Sequence, residues 1–419
     1  MQYFKSPVEQ DISSGPPDKW WRNQLVPWTM AGAIGVFSIG SVLPTSSFAV
    51  PAEPTLITLT QPSNASFDAR QWGDEWLNGW ETDGGYAIVL DESTGNWTYG
   101  VPNPDGYLVP SPLVVGTTPV PSSFPQHMRP MGQAVQEAIQ KANNTPGPIT
   151  NTPKTTGTAN IPVILINFND TSTSYSTQDF HNLLFGSGKS MKKYYEEVSY
   201  DKFSISPGTD GVVGWYTASH GHNYYGYNQG WSRSAMLTTE AVQAADATVN
   251  FANYDGDGDC YVDGVMVIHQ GASAEAGGDK TNIWSHKWNI NYTTNDTASC
   301  GTIKISTYSM QPETLYGGMQ TIGVFAHEYG HILGLPDLYD IDYSSTGLGN
   351  WALMAGGSWN STSRSGDSPA HMTAWSKYAL GWITPTQVTQ MMSNESISSA
   401  SHSADVYQFL SGSPSTNGE

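Results

Sequence analysis

The sequence predicts an α+β protein: a mixed sheet with one helix carrying the reactive residues, preceded by a small β-rich unit. Three observations predict it. Short aromatic and β-branched runs separated by Gly-rich turns fill residues 67–99. Apolar runs at Ile161–Phe168 and Val265–Ile268 alternate with helical stretches at 177–185, 190–197 and 232–249. Finally, His327-Glu328-Tyr329-Gly330-His331 stands in an apolar helical run that stops at Gly334.

The chain of 419 residues can hold two or three domains. Charged residues make up only 13%, and the net charge is −20. This balance argues against nucleic acid or an anionic membrane surface as partner and suits solubility and cation binding. Residues 1–49 read as a signal peptide or signal anchor. Lys19, Trp20, Trp21 and Arg22 precede an apolar run over 25–43, and Ser47 and Ala49 stand as a −3/−1 cleavage pair. Either way the remainder is exported, with a membrane contact only if the segment stays uncleaved.

Residues 50–125 form the expected β-rich pro-region, of which 50–60 reads as a Pro-punctuated linker. Trp72, Trp76, Trp80 and Trp97 read as the core of this unit rather than as a ligand groove. Residues 126–160 read as a Pro-rich linker interrupted by one helix near Gly132–Lys141. The stretch 143–158 is Asn- and Thr-rich, hence exposed and cleavable. The second domain is expected over 161–385. Residues 386–419 open a C-terminal region without a closing element, an expectation of truncation or loss.

In an exported chain the two cysteines, Cys260 and Cys300, read as one disulfide. The loop Asp255-Gly256-Asp257-Gly258-Asp259-Cys260-Tyr261-Val262-Asp263 has carboxylates at alternating positions. Asp255, Asp257, Asp259 and Asp263, with the Tyr261 carbonyl, make a candidate calcium loop. It departs from an EF-hand at Cys260, where Gly is expected, and at Met266, where a bidentate Glu is expected. His269 and His286 are stray candidates for metal or substrate contact, and strand histidines are more often satisfied in a core.

In a helix, His327 and His331 leave the same face one turn apart, as two nitrogen ligands of one zinc ion must. Glu328 beside them can take a proton from a metal-activated water. Thr321 is the expected N-cap. Gly334 can adopt positive φ and Pro336 forbids continuation, so the chain doubles back with Asp337 six residues after His331. No glutamate occurs between Glu328 and Glu395, so Asp337 is the third ligand of choice and Asp340 the second. Met354, 23 residues after His331 in a tight Gly-rich turn, offers a thioether cushion beneath the imidazoles.

These segments, His327–Asp340 and Met354-Ala355-Gly356-Gly357-Ser358-Trp359, resemble the immune inhibitor A-like metallopeptidases, relatives of the metzincins. So do Met191–Ser199, the Asp255–Asp263 loop, the His286 segment and Trp375–Trp382. The resemblance covers roughly residues 65–385. It implies a metzincin-like zinc domain and a secreted endopeptidase made as a proenzyme, acting on proteins or peptides. It also implies His327, His331 and Asp337 as zinc ligands, Glu328 as general base and Met354 as the Met-turn residue. Many metzincins carry a Tyr two residues after that Met; Gly356 holds the place here, which leaves Tyr378 as candidate transition-state stabiliser. The alternative reading is a catalytically dead exported binding or adhesion module on the same scaffold.

Overall fold

A computed structural model of the chain describes residues 49–143, 153–226, 230–277 and 279–409. The expected export segment lies outside these residues except for Ala49, as do 144–152 of the expected linker and 410–419 of the tail. Among the described residues the architecture is mixed, with several sheets and seven α-helices.

The first unit is an antiparallel meander with strands paired in chain order: β1 (Ile57–Thr60), β2 (Ser66–Gly73), β3 (Asn78–Thr82), β4 (Ala87–Asp91), β5 (Asn96–Pro102) and β6 (Leu108–Val114). Ala69, Ile88, Tyr99 and Val115 centre its core, with Trp80 edge-on to Trp97 at 5.7 Å. Trp72 and Trp76 differ from the expected core role. Their rings lie 5.9 Å from Tyr343 and 6.0 Å from Trp288, so they bury the meander against the second unit. Helix α1 (Gln133–Asn143) covers the same junction through Ala138.

β7 (Gly157–Asn160) pairs in parallel with β9 (Phe203–Ser206), so the end of the expected linker is already sheet. The main sheet takes in β8 (Val163–Asn167), β10 (Val212–Thr217), β11 (Val265–Ala272), β12 (His286–Ala298) and β13 (Gly301–Leu315), in the order β10-β8-β11-β13-β12. All neighbours are parallel except β12, which runs antiparallel to β13 along one edge. A short β14 (Gly318–Met319) folds back on β13.

The continuous apolar run of β8 follows from burial on both faces. Val163 and Leu165 face one core with α2 (Thr177–Phe185), α3 (Met191–Val198) and α6 (Ile322–Ile332). Ile164 and Ile166 face the other, with the short α4 (His222–Tyr225) and α5 (Trp231–Ala245). Every residue of α6 is buried, which accounts for its lack of a polar face. Helix α7 (Ala374–Ala379) and the parallel pair β15 (Thr386–Val388) and β16 (Tyr407–Phe409) complete the order. No helix among the described residues is long and apolar enough to cross a membrane.

Two local expectations change. Thr321 precedes α6 but makes no side-chain cap; its hydroxyl donates to the Ser365 carbonyl at 2.6 Å, since the helix start is buried against that loop. Residues 50–60 are no linker, because Val50, Pro51 and Ala52 are buried and β1 follows them.

Cys260 and Cys300 are bonded, with Cα atoms 5.6 Å apart across a separation of 40 residues. Replacing both by Ser should lower unfolding free energy by about 3–4 kcal/mol on the chain-entropy model. Urea denaturation checks this, and a change below about 0.5 kcal/mol would count against a stabilising bridge.

Candidate active site

Helix α6 brings His327 and His331 together with their Nε2 atoms 3.0 Å apart. His327 Nδ1 pairs with the Leu353 carbonyl and His331 Nδ1 with the Leu335 carbonyl, both at 2.8 Å. A carbonyl can only accept, so each Nδ1 carries the proton and each Nε2 presents a lone pair. Two buried lone pairs at 3.0 Å repel unless a cation sits between them.

Gly334 at φ +96° turns the chain after Leu333, as expected, and returns Asp337. Its Oδ1 lies 3.2 Å from His327 Nε2 and 3.3 Å from His331 Nε2. Asp340 is turned away: its carboxylate accepts from Ser344 Oγ and from Ser345 N and Oγ. The donor set of two imidazoles and one carboxylate, converging within 4.8 Å, fits zinc.

Met354 is fully buried, and its Sδ lies 2.6 Å from the point a Cβ on residue 330 would occupy. Gly330, between the two histidines, therefore admits the thioether against the helix. The same turn supplies the Leu353 carbonyl that orients His327, while the Met354 carbonyl accepts from Leu338 N at 2.7 Å. One turn thus braces both α6 and the segment carrying Asp337.

Glu328 is buried, and burial and then Asp337 push its carboxyl well above the usual range. Its Oε1 accepts from the Val50 N–H at 2.8 Å, and its Oε2 has no hydrogen-bond partner among the described residues. Residues 49–53 run through the site. The Tyr339 hydroxyl donates to the Ala49 carbonyl at 3.1 Å, and Trp284 Nε1 donates to the Val50 carbonyl at 2.9 Å. Trp359 Nε1 donates to the Pro51 carbonyl at 2.7 Å, and Glu53 N to the Glu275 carbonyl at 2.7 Å. Tyr339 and this segment carried no signal in the sequence. Tyr378 stands on α7 and is 49% exposed.

The remaining candidates lie elsewhere. His269 and His286 are core residues, pushed down to about 3 and about 4 by burial and bonded to the Gln270 and Trp284 carbonyls. In the acidic loop, Asp255, Asp257 and Asp259 converge within 4.8 Å and Asp263 is buried beside Gly256. Cys260 takes φ +71°, the conformation that a Gly serves in an EF-hand, and the disulfide pins it. Burial, with Asp257, Asp255 and Asp259, pushes the Asp263 carboxyl up to about 6. Tyr261 bridges to Lys304, and Met266 lies on β11 and gives no ligand.

Residues 166–383 match the family model described as immune inhibitor A peptidase M6, catalytic domain. The chain is 34% identical over 238 residues to the pre-pro-metalloprotease PrtV of Vibrio cholerae serotype O1, covering 48% of this chain and 25% of PrtV. It is 33% identical over 209 residues to immune inhibitor A of Bacillus thuringiensis subsp. alesti, covering 41% of this chain and 29% of that protein. The chain thus spans about a quarter of the length of these relatives. With a family match across more than half its length, this chain belongs to the immune inhibitor A family of M6 peptidases.

Proposed function

We propose that the chain is an exported zinc-dependent endopeptidase, made in latent form, that hydrolyses peptide bonds in proteins. One observation carries the reading: the Ala49–Val50 peptide bond lies across the site, with Tyr339 on its oxygen and Glu328 at its nitrogen. His327, His331 and Asp337 would hold the metal, and zinc held there supplies Lewis acidity toward a water and a peptide carbonyl. Glu328, whose Oε2 has no hydrogen-bond partner among the described residues, would as a carboxylate take a proton from the water and hand it to the leaving amine. The Tyr339 hydroxyl, kept protonated by burial, donates to the oxygen on which negative charge develops. This gives Tyr339 the stabilising role that the sequence suggested for Tyr378.

Residues 49–53 support the proenzyme reading, since they fill the ground a substrate would need. Cleavage of an export signal after Ala49 would leave the Val50 nitrogen, still opposite Glu328, as the chain's α-amine. We assign calcium to the loop of Asp255, Asp257, Asp259, Asp263 and the Tyr261 carbonyl. The net charge of −20 speaks against nucleic acid as partner, and a membrane contact requires an uncleaved N-terminal segment.

Glu328→Gln should retain zinc by metal analysis and lower casein cleavage about a thousandfold; retained activity refutes the base. Asp337→Ala should lose zinc and Asp340→Ala keep it, and the reverse result moves the third ligand to Asp340. Replacing Pro51-Ala52-Glu53 by Gly-Ser-Gly should raise the activity of the unprocessed chain, whereas unchanged activity would contradict latency through this segment. Because Asp263 is raised from 3.8 to about 6 in the fold, its contribution to stability is full below the unfolded value and falls as pH rises through about 6. Calcium should offset that loss, raising the melting temperature at pH 7.5 more than at pH 5. No calcium effect at either pH removes the assignment.

A further inference from the structure

Whether this cleft selects substrates beyond the cut bond can be read from the segment that fills it. The inference rests on the protease reading above. Glu328 returns its proton to the leaving amine, so Val50 N, 2.8 Å from Glu328 Oε1, stands where that amine stands. Val50, Pro51, Ala52 and Glu53 then follow the path of the first four residues of the departing product. Their main chain is held by Trp284 Nε1, Trp359 Nε1 and the Glu275 carbonyl, contacts that any peptide can make.

The Glu53 side chain is held differently. It is a carboxylate, yet only 2% exposed. Its Oε1 accepts from Ser365 Oγ at 2.6 Å and its Oε2 from the Tyr316 hydroxyl at 2.5 Å. Thr55 adds its N–H at 2.9 Å and its Oγ1 at 2.7 Å, but Thr55 leaves with the segment. Tyr316 and Ser365 stay. Tyr316, at φ +49° in the turn between β13 and β14, is 52% exposed, but desolvation around its hydroxyl and then the Glu53 carboxylate raise the phenol, so it remains a donor. The same two residues, with Arg364, line a cavity of about 250 Å³.

We propose that Tyr316 and Ser365 form a subsite for an acidic side chain at the fourth residue after the scissile bond. The substrate class is therefore proteins carrying Glu at that position, and residues 50–53 imitate such a product. One hydroxyl faces each carboxylate oxygen. An amide offers a single oxygen and sets its NH₂ against the other hydroxyl, which forfeits a charge-assisted bond. The site should discriminate Glu from Gln by about tenfold.

The test uses the full zinc-loaded chain, matured until it cleaves casein. Quenched peptides containing Ala-Val-Pro-Ala-Xaa, with Xaa as Glu, Gln or Lys, report kcat/KM for cleavage at Ala-Val. Glu should exceed Gln about tenfold and Lys by more, and the Glu/Gln ratio should fall toward one in Tyr316→Phe and Ser365→Ala. An enzyme that cleaves casein and all three peptides equally overturns the subsite and leaves residues 50–53 as an anchor only. A Glu preference that persists in both variants overturns its assignment to these two hydroxyls. A matured chain that cleaves neither casein nor any peptide overturns the protease reading and the subsite with it.

Discussion

Two neutral imidazoles and a carboxylate point at one another inside a buried helix-and-turn, and the rest of the structure is arranged to keep them so. The Leu353 and Leu335 carbonyls hold both Nδ1 protons and thereby turn both Nε2 lone pairs inward. Such an arrangement is costly without a cation, because burial denies the lone pairs water and brings them within 3.0 Å of each other. A metal converts that repulsion into binding energy, so affinity for the ion and stability of the centre are linked. The Met354 turn matters for the same reason: it fixes one imidazole through Leu353 and packs its sulfur against Gly330.

The segment at residues 49–53 meets this centre from the other side. Its carbonyls and N–H groups pair with Trp284, Trp359, Gly73, Glu275, Tyr339 and Glu328, which helps Pro51 and small apolar residues lie buried. Side chains of the segment add apolar contact, with Val50 against Leu315, Val324 and Trp359. A cleft that satisfies an extended backbone in this way is suited to peptides in general. The meander behind it, joined through Trp72 and Trp76, makes leaving the cleft more than a local event.

What was legible in the sequence is what is local. His327, Glu328, His331 and the return at Gly334 follow from helix periodicity and one positive φ, and Asp337 needs only a short turn to reach them. The strands of the main sheet were legible from apolar runs buried on both faces. The contact of Val50 with Glu328 spans 278 residues, and nothing in a Pro-punctuated stretch announces such a partner. Tyr339 was missed because a phenol near a ligand has no periodic or spacing signature, while Tyr378 drew notice only through a resemblance and is 49% exposed. Thr321 looked like a cap by residue type; tertiary contact with Ser365 claimed its hydroxyl.

The central claim is that one metal ion is shared by the two Nε2 atoms and the Asp337 carboxylate. X-ray absorption at the zinc edge on the purified full chain tests it most directly. The account predicts a first shell of two imidazole nitrogens and at least one oxygen at roughly 2.0–2.2 Å, with no sulfur. A shell containing sulfur, a single imidazole, or the absence of bound zinc in a folded chain would contradict it.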